Sequence, residues 1–433
     1  MIKRIFVCFP LVMLLVVACS GRSEDKNQSE LREGTVVITG PQLSELPDYE
    51  FIKADSNHID MNGDDWSELR IKLAMADATP VNIVHIGDSH IQADVATDRV
   101  RRLMQQRYGD GGRGLVTPLK IAGTNEPWNY IFTTDSRYTS AKLLKLPWMT
   151  DMGFTGVSFS PNSNAFSITL STVVKKNPEG DPFNGLTIFS DGRVLVERIT
   201  NGDNVRVNFN DSVMDYMTEV SLASPQTTVT LQMRTFESIT IFGVSLLNEK
   251  GGVRYHAIGN NGATYSAYNR LMSMGSDVNM LDPDLIIISL GTNEAFGKVT
   301  DEALYSEIDY MVRDLRKNNP DAKFLLVTPM ECQRAQRTSA RKTRKGRRST
   351  VYSKSYSVNE NVKRLRNVIV KYGKNNSIPV YDWYEVAGGN GASTQWLDNG
   401  LMNTDRIHNT FTGYELQGNM LYNALESALN PSN

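Results

Sequence analysis

Three textures of apolar and polar residues succeed one another along this chain. In the first, short apolar runs alternate with stretches of helical periodicity, the pattern of strands buried on both faces and crossed by helices. Residues 64–78 place Trp66, Leu69, Leu73 and Met75 on one stripe and predict a helix, with Asp64 or Asp65 as its cap. An apolar strand is expected at 81–86, then a helix from about Asp94 to near Tyr108. The same texture returns after residue 250. It predicts strands at 255–258, 285–290, 323–328 and 379–382, with helices from 264 to about 274 and at 301–318, 355–375 and 413–429. Pro329 closes the third of those strands. Strands alternating with helices imply a parallel, doubly wound α/β sheet with helices on both faces, three layers in all.

The second texture runs from about 125 to 248. Alternating β-type runs at 165–174, 186–190, 194–199, 205–209, 219–222, 227–234 and 238–247 are separated by turn pairs such as Asn184-Gly185, Asp191-Gly192 and Asn201-Gly202. Many short, evenly spaced strands without a helical period predict a β-sandwich or jelly roll. Because the α/β pattern resumes afterwards, this region reads as an all-β insertion. The expected organisation is α/β at 35–124, inserted β domain at 125–250 and α/β again at 251–433. Between the first helix pair and the insertion, residues 109–114 hold four glycines but lack the lysine and Ser/Thr of a phosphate loop, so they read as a flexible turn.

The third texture is the amino-terminal segment. Lys3 and Arg4 precede an apolar run from Ile5 to Ala18, followed by Cys19. A basic start, a short apolar core and a small residue at the cut site describe an export signal at 1–18; a membrane span needs about 20 apolar residues. The cysteine directly after Ala18 resembles a bacterial lipobox, which makes Cys19 the lipidated first residue of an exported lipoprotein held at a membrane, in the periplasm or at the outer-membrane face. The polar residues 19–34 then serve as a tether. Of three cysteines only Cys332 remains, so the mature chain has no internal disulfide, and Cys332 reads as a packed thiol.

Charge adds little globally. The 433 residues carry a formal net charge of −2, or −4 once Lys3 and Arg4 are removed, which gives no case for nucleic acid as a partner. Locally, eight basic and no acidic residues lie between Arg334 and Arg348. A grip on an anionic polymer and a solvated loop are the two readings; the solvated loop is preferred.

Candidate chemistry sits where predicted strands end. The first strand runs into Gly87-Asp88-Ser89-His90, which places a serine at the carboxyl end of a buried strand, where α/β sheets put their ligands. The expected helix after it turns its positive end toward charge developing beside the serine. A serine hydroxyl is a weak nucleophile without a base. Asn403-Thr404-Asp405-Arg406-Ile407-His408 provides one: Asp405 can hold the imidazole Nδ1–H of His408, whose Nε2 can take the Ser89 proton. The chain has five histidines, and Asp405 stands three residues before His408. Oxyanion donors are available from the backbone N–H of Ser89, the backbone N–H of Gly262 and the side-chain amide of Asn293, each near a predicted strand end. Asp88 reads as a brace for the turn. His85 and His90 lack neighbouring ligands in a metal pattern, so no metal is expected. Tyr138, Trp148, Phe154 and Phe159 in the insertion suit either sugar stacking or core packing.

Together the four segments resemble the SGNH (GDSL-type) hydrolases: Gly87-Asp88-Ser89-His90, Gly259-Asn260-Asn261-Gly262, Gly291-Thr292-Asn293-Glu294 and Asp405-Arg406-Ile407-His408. The third block usually ends in aspartate, where this chain has Glu294. The resemblance implies a flavodoxin-like fold, Ser89 as nucleophile, His408 as base, Asp405 as its orienting acid, and Ser89, Gly262 and Asn293 as the oxyanion hole, without a cofactor. His90 in the first block, the Gly-Thr-Asn-Glu-Ala form of the third and the β insertion are similar to the peptidoglycan O-acetylesterases, whose inserted domain resembles a carbohydrate-binding module. That implies an acetylated polysaccharide substrate, with acetyl ester of N-acetylmuramic acid in peptidoglycan first. An acetyltransferase, an esterase for another glycan and a non-catalytic polysaccharide-binding lipoprotein remain alternatives.

Overall fold

The structure, a computed structural model, describes residues 40–344 and 347–431, and only the backbone of 337, 338, 340–344 and 347–352. The export signal, the lipidation site Cys19 and the tether lie outside the described residues. Six strands form the central sheet, in the spatial order Ile59–Asp60, Val380–Tyr381, Lys323–Val327, Leu285–Ser289, Val81–Gly87, Val253–Gly259. All pairs are parallel except the edge strand Ile59–Asp60. Numbered along the chain, the five parallel strands run 2-1-3-4-5, the flavodoxin-like order expected from the sequence.

The central strands are largely apolar because helices cover both faces. Val84, Ile86, Ile286, Ile288, Phe324 and Leu326 face the helices Asp301–Asn318 and Glu360–Asn375 in one core. Val81, Ile83, Leu285, Ile287 and Leu325 alternate to the other face, against Ser67–Ala74, Ala96–Tyr108 and Phe411–Leu429. The register has a consequence for chemistry. Gly87 stands level with Gly259 on one neighbour and Ser289 on the other, so three strands end in one row and their loops open side by side.

The insertion is a sandwich of two antiparallel sheets. One has five strands, including Leu195–Asn201, Thr228–Arg234 and Ala165–Ser171; the other has seven, including Met217–Gln226, Phe183–Ser190 and Ile241–Leu247. Phe132, Phe159, Ile168, Leu170, Ile188 and Leu231 fill the space between them. On the outer face of the larger sheet, Phe189 and Phe242 join Phe154 and Leu115 in the same core as the central sheet. Phe154 and Phe159 are thus fully buried and cannot stack on a sugar; Trp148 is half-buried against the core, and Tyr138 is exposed with its edge toward Phe159.

Several expectations need correction. The first helix is shorter, Ser67–Ala74, and Trp66 is its cap residue; Asp65 instead accepts from Ser67 N–H at 3.0 Å. Residues 109–114 do not form a loose turn. They cross between the strands around Val253 with Gly112 and Gly114 buried, and a Cβ on Gly114 would lie 2.6 Å from the Tyr255 carbonyl oxygen. The expected helix up to Met274 is two pieces, Tyr265–Tyr268 and Met274–Val278; the first ends at Asn269, whose side-chain amide donates to Glu307 of the helix Asp301–Asn318. Strands at Ile131–Thr134, Tyr138–Lys142 and Val157–Pro161 extend the insertion beyond the runs read in the sequence. The basic segment is not a loop: Gln333–Arg344 and Arg347–Val358 pair as a two-stranded antiparallel ribbon, so the last long helix but one starts at Glu360 and not at 355.

One buried carboxyl ties the pieces that carry the site. Glu294 Oε1 accepts the Tyr265 backbone N–H at 2.8 Å, and Oε2 has no hydrogen-bond partner. Burial pushes its carboxyl up to about 7, against the backbone bond that favours the charged form. A raised carboxyl pKa holds the proton on the folded state, so its stabilisation is complete below about 4.5 and disappears as pH rises to about 7. Stability should therefore fall by roughly 3 kcal/mol across that window, and Glu294→Gln should flatten the fall in urea melts taken from pH 4.5 to 8. A second expectation concerns Gly114. Gly114→Ala combines a left-handed φ of +79° with the clash against Tyr255, whereas Gly123→Ala keeps φ +71° with open space around it. Gly123→Ala should cost about 1–2 kcal/mol, and Gly114→Ala about 1–3 kcal/mol more, by denaturant midpoint.

Candidate active site

The sheet delivers Ser89 to the row where Gly87, Gly259 and Ser289 end. Asp88 turns the chain there: its Oδ1 accepts the His90 N–H at 3.0 Å and caps the single helical turn Ser89–Gln92. The long helix starts only at Ala96. The charge-stabilising element beside Ser89 is therefore the backbone of that single turn, not the dipole of a long helix as expected.

From the other end of the chain, Thr410 caps Phe411–Leu429 through the Gly413 N–H and fixes the loop before it. In that loop Asp405 Oδ1 accepts the backbone N–H of Ile407 (2.9 Å) and His408 (3.0 Å), and Oδ2 lies 2.8 Å from His408 Nδ1. Burial works against the Asp405 charge, but the bonds from the His408 ring and the two N–H groups outweigh it and hold the carboxyl below its usual range. Arg406, with φ +62°, makes the tight bend that lets residues three apart meet. His408 Nε2 then sits 2.8 Å from Ser89 Oγ. The hydroxyl, imidazole and carboxylate named from the sequence thus stand in hydrogen-bonded succession.

Gly262 and Asn293 line the same cleft as these three. Gly262 has φ +80°, and its N–H makes no hydrogen bond among the described residues. The loop is held from below by Gln92, whose Oε1 accepts the Asn261 N–H at 2.6 Å. Asn260 anchors it to the insertion by donating to the Thr155 carbonyl (2.9 Å), and Tyr268 OH donates to the Gly87 carbonyl (2.7 Å). Asn293 Nδ2 donates to Asp88 Oδ2 (3.1 Å) and to the Ala263 carbonyl (3.0 Å). Both amide hydrogens already have acceptors, so an oxyanion would have to share one. Asp88 is accordingly more than a turn brace, since it orients the amide as well.

His85 is buried between Tyr255 OH (2.7 Å) and Ser289 Oγ (2.6 Å), and burial pushes it down to about 3, a neutral ring within the sheet. His90 points elsewhere, with Nδ1 2.9 Å from Tyr414 OH and its ring 5.2 Å from that of His408. Burial lowers its pKa, so it stays neutral beside the base. Cys332 is buried, and burial raises its thiol to about 12, far from a nucleophile's range.

The cleft holds about 650 Å³ and is open to solvent. Its walls include residues that the sequence reading missed. Trp128 and Glu126 form one side, and Phe296 and Tyr414 line it as well. Trp128 is fixed by its Nε1–H bond to the Asp94 carbonyl (3.0 Å) and an edge contact with Phe411. Only the strand-poor stretch Glu126-Pro127-Trp128 at the start of the insertion could have flagged it. A second recess of about 380 Å³, around Trp66 and Pro431, is lined by His58, Ser67 and Ser427, but Ser67 Oγ donates to Asp65 and not to an imidazole.

Comparisons with known proteins agree with this geometry. The GDSL-like Lipase/Acylhydrolase family matches residues 235–416, a span that holds Gly262, Asn293, Asp405 and His408 but not Ser89, which the insertion separates from it. No curated protein matches the sequence. Among solved structures, a peptidoglycan O-acetylesterase superposes with a TM-score of 0.65 at 20% identity, covering 86% of this chain and 98% of the other. A lipase/acylhydrolase from Enterococcus faecalis (20% identity, 42% and 80% covered, TM-score 0.30) and a GDSL-like lipase from Bacteroides thetaiotaomicron (22%, 40% and 76%, TM-score 0.29) are similar over smaller parts. Fold, blocks and family match agree: residues 235–416 match the GDSL-like Lipase/Acylhydrolase family, and the chain shares the fold of the solved peptidoglycan O-acetylesterase.

Proposed function

We propose that this protein removes O-acetyl groups from a cell-envelope polysaccharide, peptidoglycan acetylated on N-acetylmuramic acid being the substrate. The observation that carries the chemistry is the unbroken succession Ser89–His408–Asp405 in an open cleft. Support for the substrate is the likeness, over almost the whole of both chains, to a structure described as a peptidoglycan O-acetylesterase. A shallow, solvent-open cleft also suits a polymer better than a buried acyl chain.

In this reading Ser89 Oγ attacks the acetyl carbonyl carbon while His408 Nε2 takes the hydroxyl proton. Asp405 keeps the Nδ1–H of His408 in place and stabilises the imidazolium. Negative charge on the carbonyl oxygen meets the N–H groups of Ser89 and Gly262 and the Asn293 amide. Collapse of this intermediate breaks the bond to the sugar oxygen, which leaves with the proton from His408. Water, giving its proton to His408, then attacks the acetyl-enzyme; acetate departs and Ser89 regains its hydrogen. The reading includes export and lipid anchoring at Cys19, for which the support is the basic-apolar-small order of the first nineteen residues.

Ser89→Ala and His408→Ala should each lower acetate release from acetylated peptidoglycan by roughly 10⁴-fold or more, with unchanged thermal melting. Near wild-type release by either variant would reject the mechanism. Asn293→Ala should lower kcat by roughly 10²- to 10³-fold with little change in KM, measured by steady-state kinetics; a loss confined to KM would remove Asn293 from the oxyanion hole.

A further inference from the structure

The ribbon formed by Gln333–Arg344 and Arg347–Val358 has no part in the chemistry above, yet its composition and its root are unusual. Nine basic and no acidic residues lie between Gln333 and Val358, and the rest of the chain carries 37 basic and 48 acidic residues, a net −11. Positive charge is thus concentrated on one projecting element. Register makes the concentration costly. Arg337 stands opposite Lys354, and Arg344 opposite Arg347. Like charges at directly opposed positions destabilise an antiparallel pair, and an isolated two-stranded ribbon is marginal in water even without them. The missing counter-charge is not in the ribbon's own sequence.

Its root lies on the loop that carries the base. Gln333 N–H donates to the Arg406 carbonyl (3.0 Å), and Arg406 Nη1 donates to Gln333 Oε1 (2.7 Å). Tyr356 OH donates to the Thr404 carbonyl (3.1 Å), and the Arg406 guanidinium lies 4.2 Å from the Tyr356 ring centre. Beside them, Arg334 donates to the Ala295 carbonyl and lies over Phe296, which lines the cleft. Twelve residues per strand at about 3.3 Å each give a reach of roughly 40 Å from the cleft rim.

We propose that this ribbon is a docking surface for a polyanionic glycan, and that it holds the carboxylates of peptidoglycan peptide stems while a neighbouring sugar occupies the cleft. The proposal rests on the deacetylase reading for its choice of polymer. Charge complementarity supplies the missing anions, and continuity with the Asp405–His408 loop places them along the path of a polymer entering the cleft. An anionic membrane is the competing occupant. It is disfavoured because the root of the ribbon sits at the cleft mouth, which the polymer must reach.

The test uses the chain with five substitutions together, Arg341→Ser, Lys342→Ser, Arg344→Ser, Arg347→Ser and Arg348→Ser, and a companion with the four arginines replaced by lysine. Binding is read by co-sedimentation with insoluble peptidoglycan, with the same material after amidation of its carboxyl groups, and with vesicles of anionic phospholipid. Wild-type protein should bind native peptidoglycan at least tenfold better than the amidated form, more weakly at 200 than at 50 mM salt. The serine variant should lose at least tenfold in binding and in acetate release from acetylated peptidoglycan, the lysine companion should keep both, and turnover of p-nitrophenyl acetate, too small to span cleft and ribbon, should stay within twofold in both. Equal binding to amidated material, equal binding by the serine variant, or binding to vesicles but not to peptidoglycan would overturn the proposal. Carboxylate-dependent binding by wild-type protein that releases no acetate would uphold the docking surface and reject the deacetylase reading.

Discussion

A shared stopping row in the parallel sheet governs the site. Gly87, Gly259 and Ser289 stand level on three adjacent strands, and each strand passes directly into one of the loops that carry Ser89, Gly262 and Asn293. A parallel ladder fixes that level through its hydrogen bonds, so the spacing of nucleophile and oxyanion donors comes from backbone pairing and not from flexible side chains. Close approach is needed to keep the row tight. A Cβ on Gly87 would fall 2.2 Å from Ile91 Cγ1, and one on Gly259 would fall 2.1 Å from the Gln92 nitrogen. The remaining component, His408, comes from 319 residues away and meets Ser89 only because the Asp405–His408 bend is pinned at the front of the last helix.

Much of this was readable in the sequence because the relevant physics is local. An apolar run that ends in glycine, followed by a polar residue of the right chemistry, marks a buried strand and its functional loop at once. That is why the blocks around Ser89, Gly262 and Asn293 fall where they were expected, while His408 was legible from Asp405 three residues before it. The basic ribbon was misread for an equally physical reason. Its alternation of Arg, Thr, Ser and Tyr has no apolar face, and the charge density argues for a loop, while strand pairing depends on a partner that local pattern does not show. Trp128 was missed because a cleft wall is made by tertiary placement; here the Asp94 carbonyl and Phe411 decide it. The broken helix at 269–273 goes with tertiary bonds such as that of Asn269 to Glu307, which a periodicity argument does not weigh.

The insertion is joined to the catalytic layers by more than its two connections. Asn260 reaches Thr155, Phe189 and Phe242 enter the core of the central sheet, and Gly114–Val116 pairs with the insertion strand Ile241–Leu247. The segment at its start carries Trp128 into the cleft. Buried charges fix the geometry of this corner: Arg113 pairs with Asp94, Arg101 with Asp98, and Asn129 donates to both carboxylates. Removing one partner there would leave an uncompensated buried charge, which is why the cluster defines geometry more than it adds stability.

The placement of the insertion also dictates an order of assembly. Val81–Gly87 is an interior strand whose two neighbours, Val253–Gly259 and Leu285–Ser289, both lie beyond the sandwich in the chain. Contacts of such long sequence separation form slowly. As the chain is synthesised, the segment bearing the nucleophile emerges with both hydrogen-bonding edges unsatisfied, and it stays so until more than 160 residues have followed. The antiparallel sandwich has all of its strands in those intervening residues. The nucleophile's strand can be paired on both edges only once the whole insertion has been made, so the working centre is completed late in synthesis.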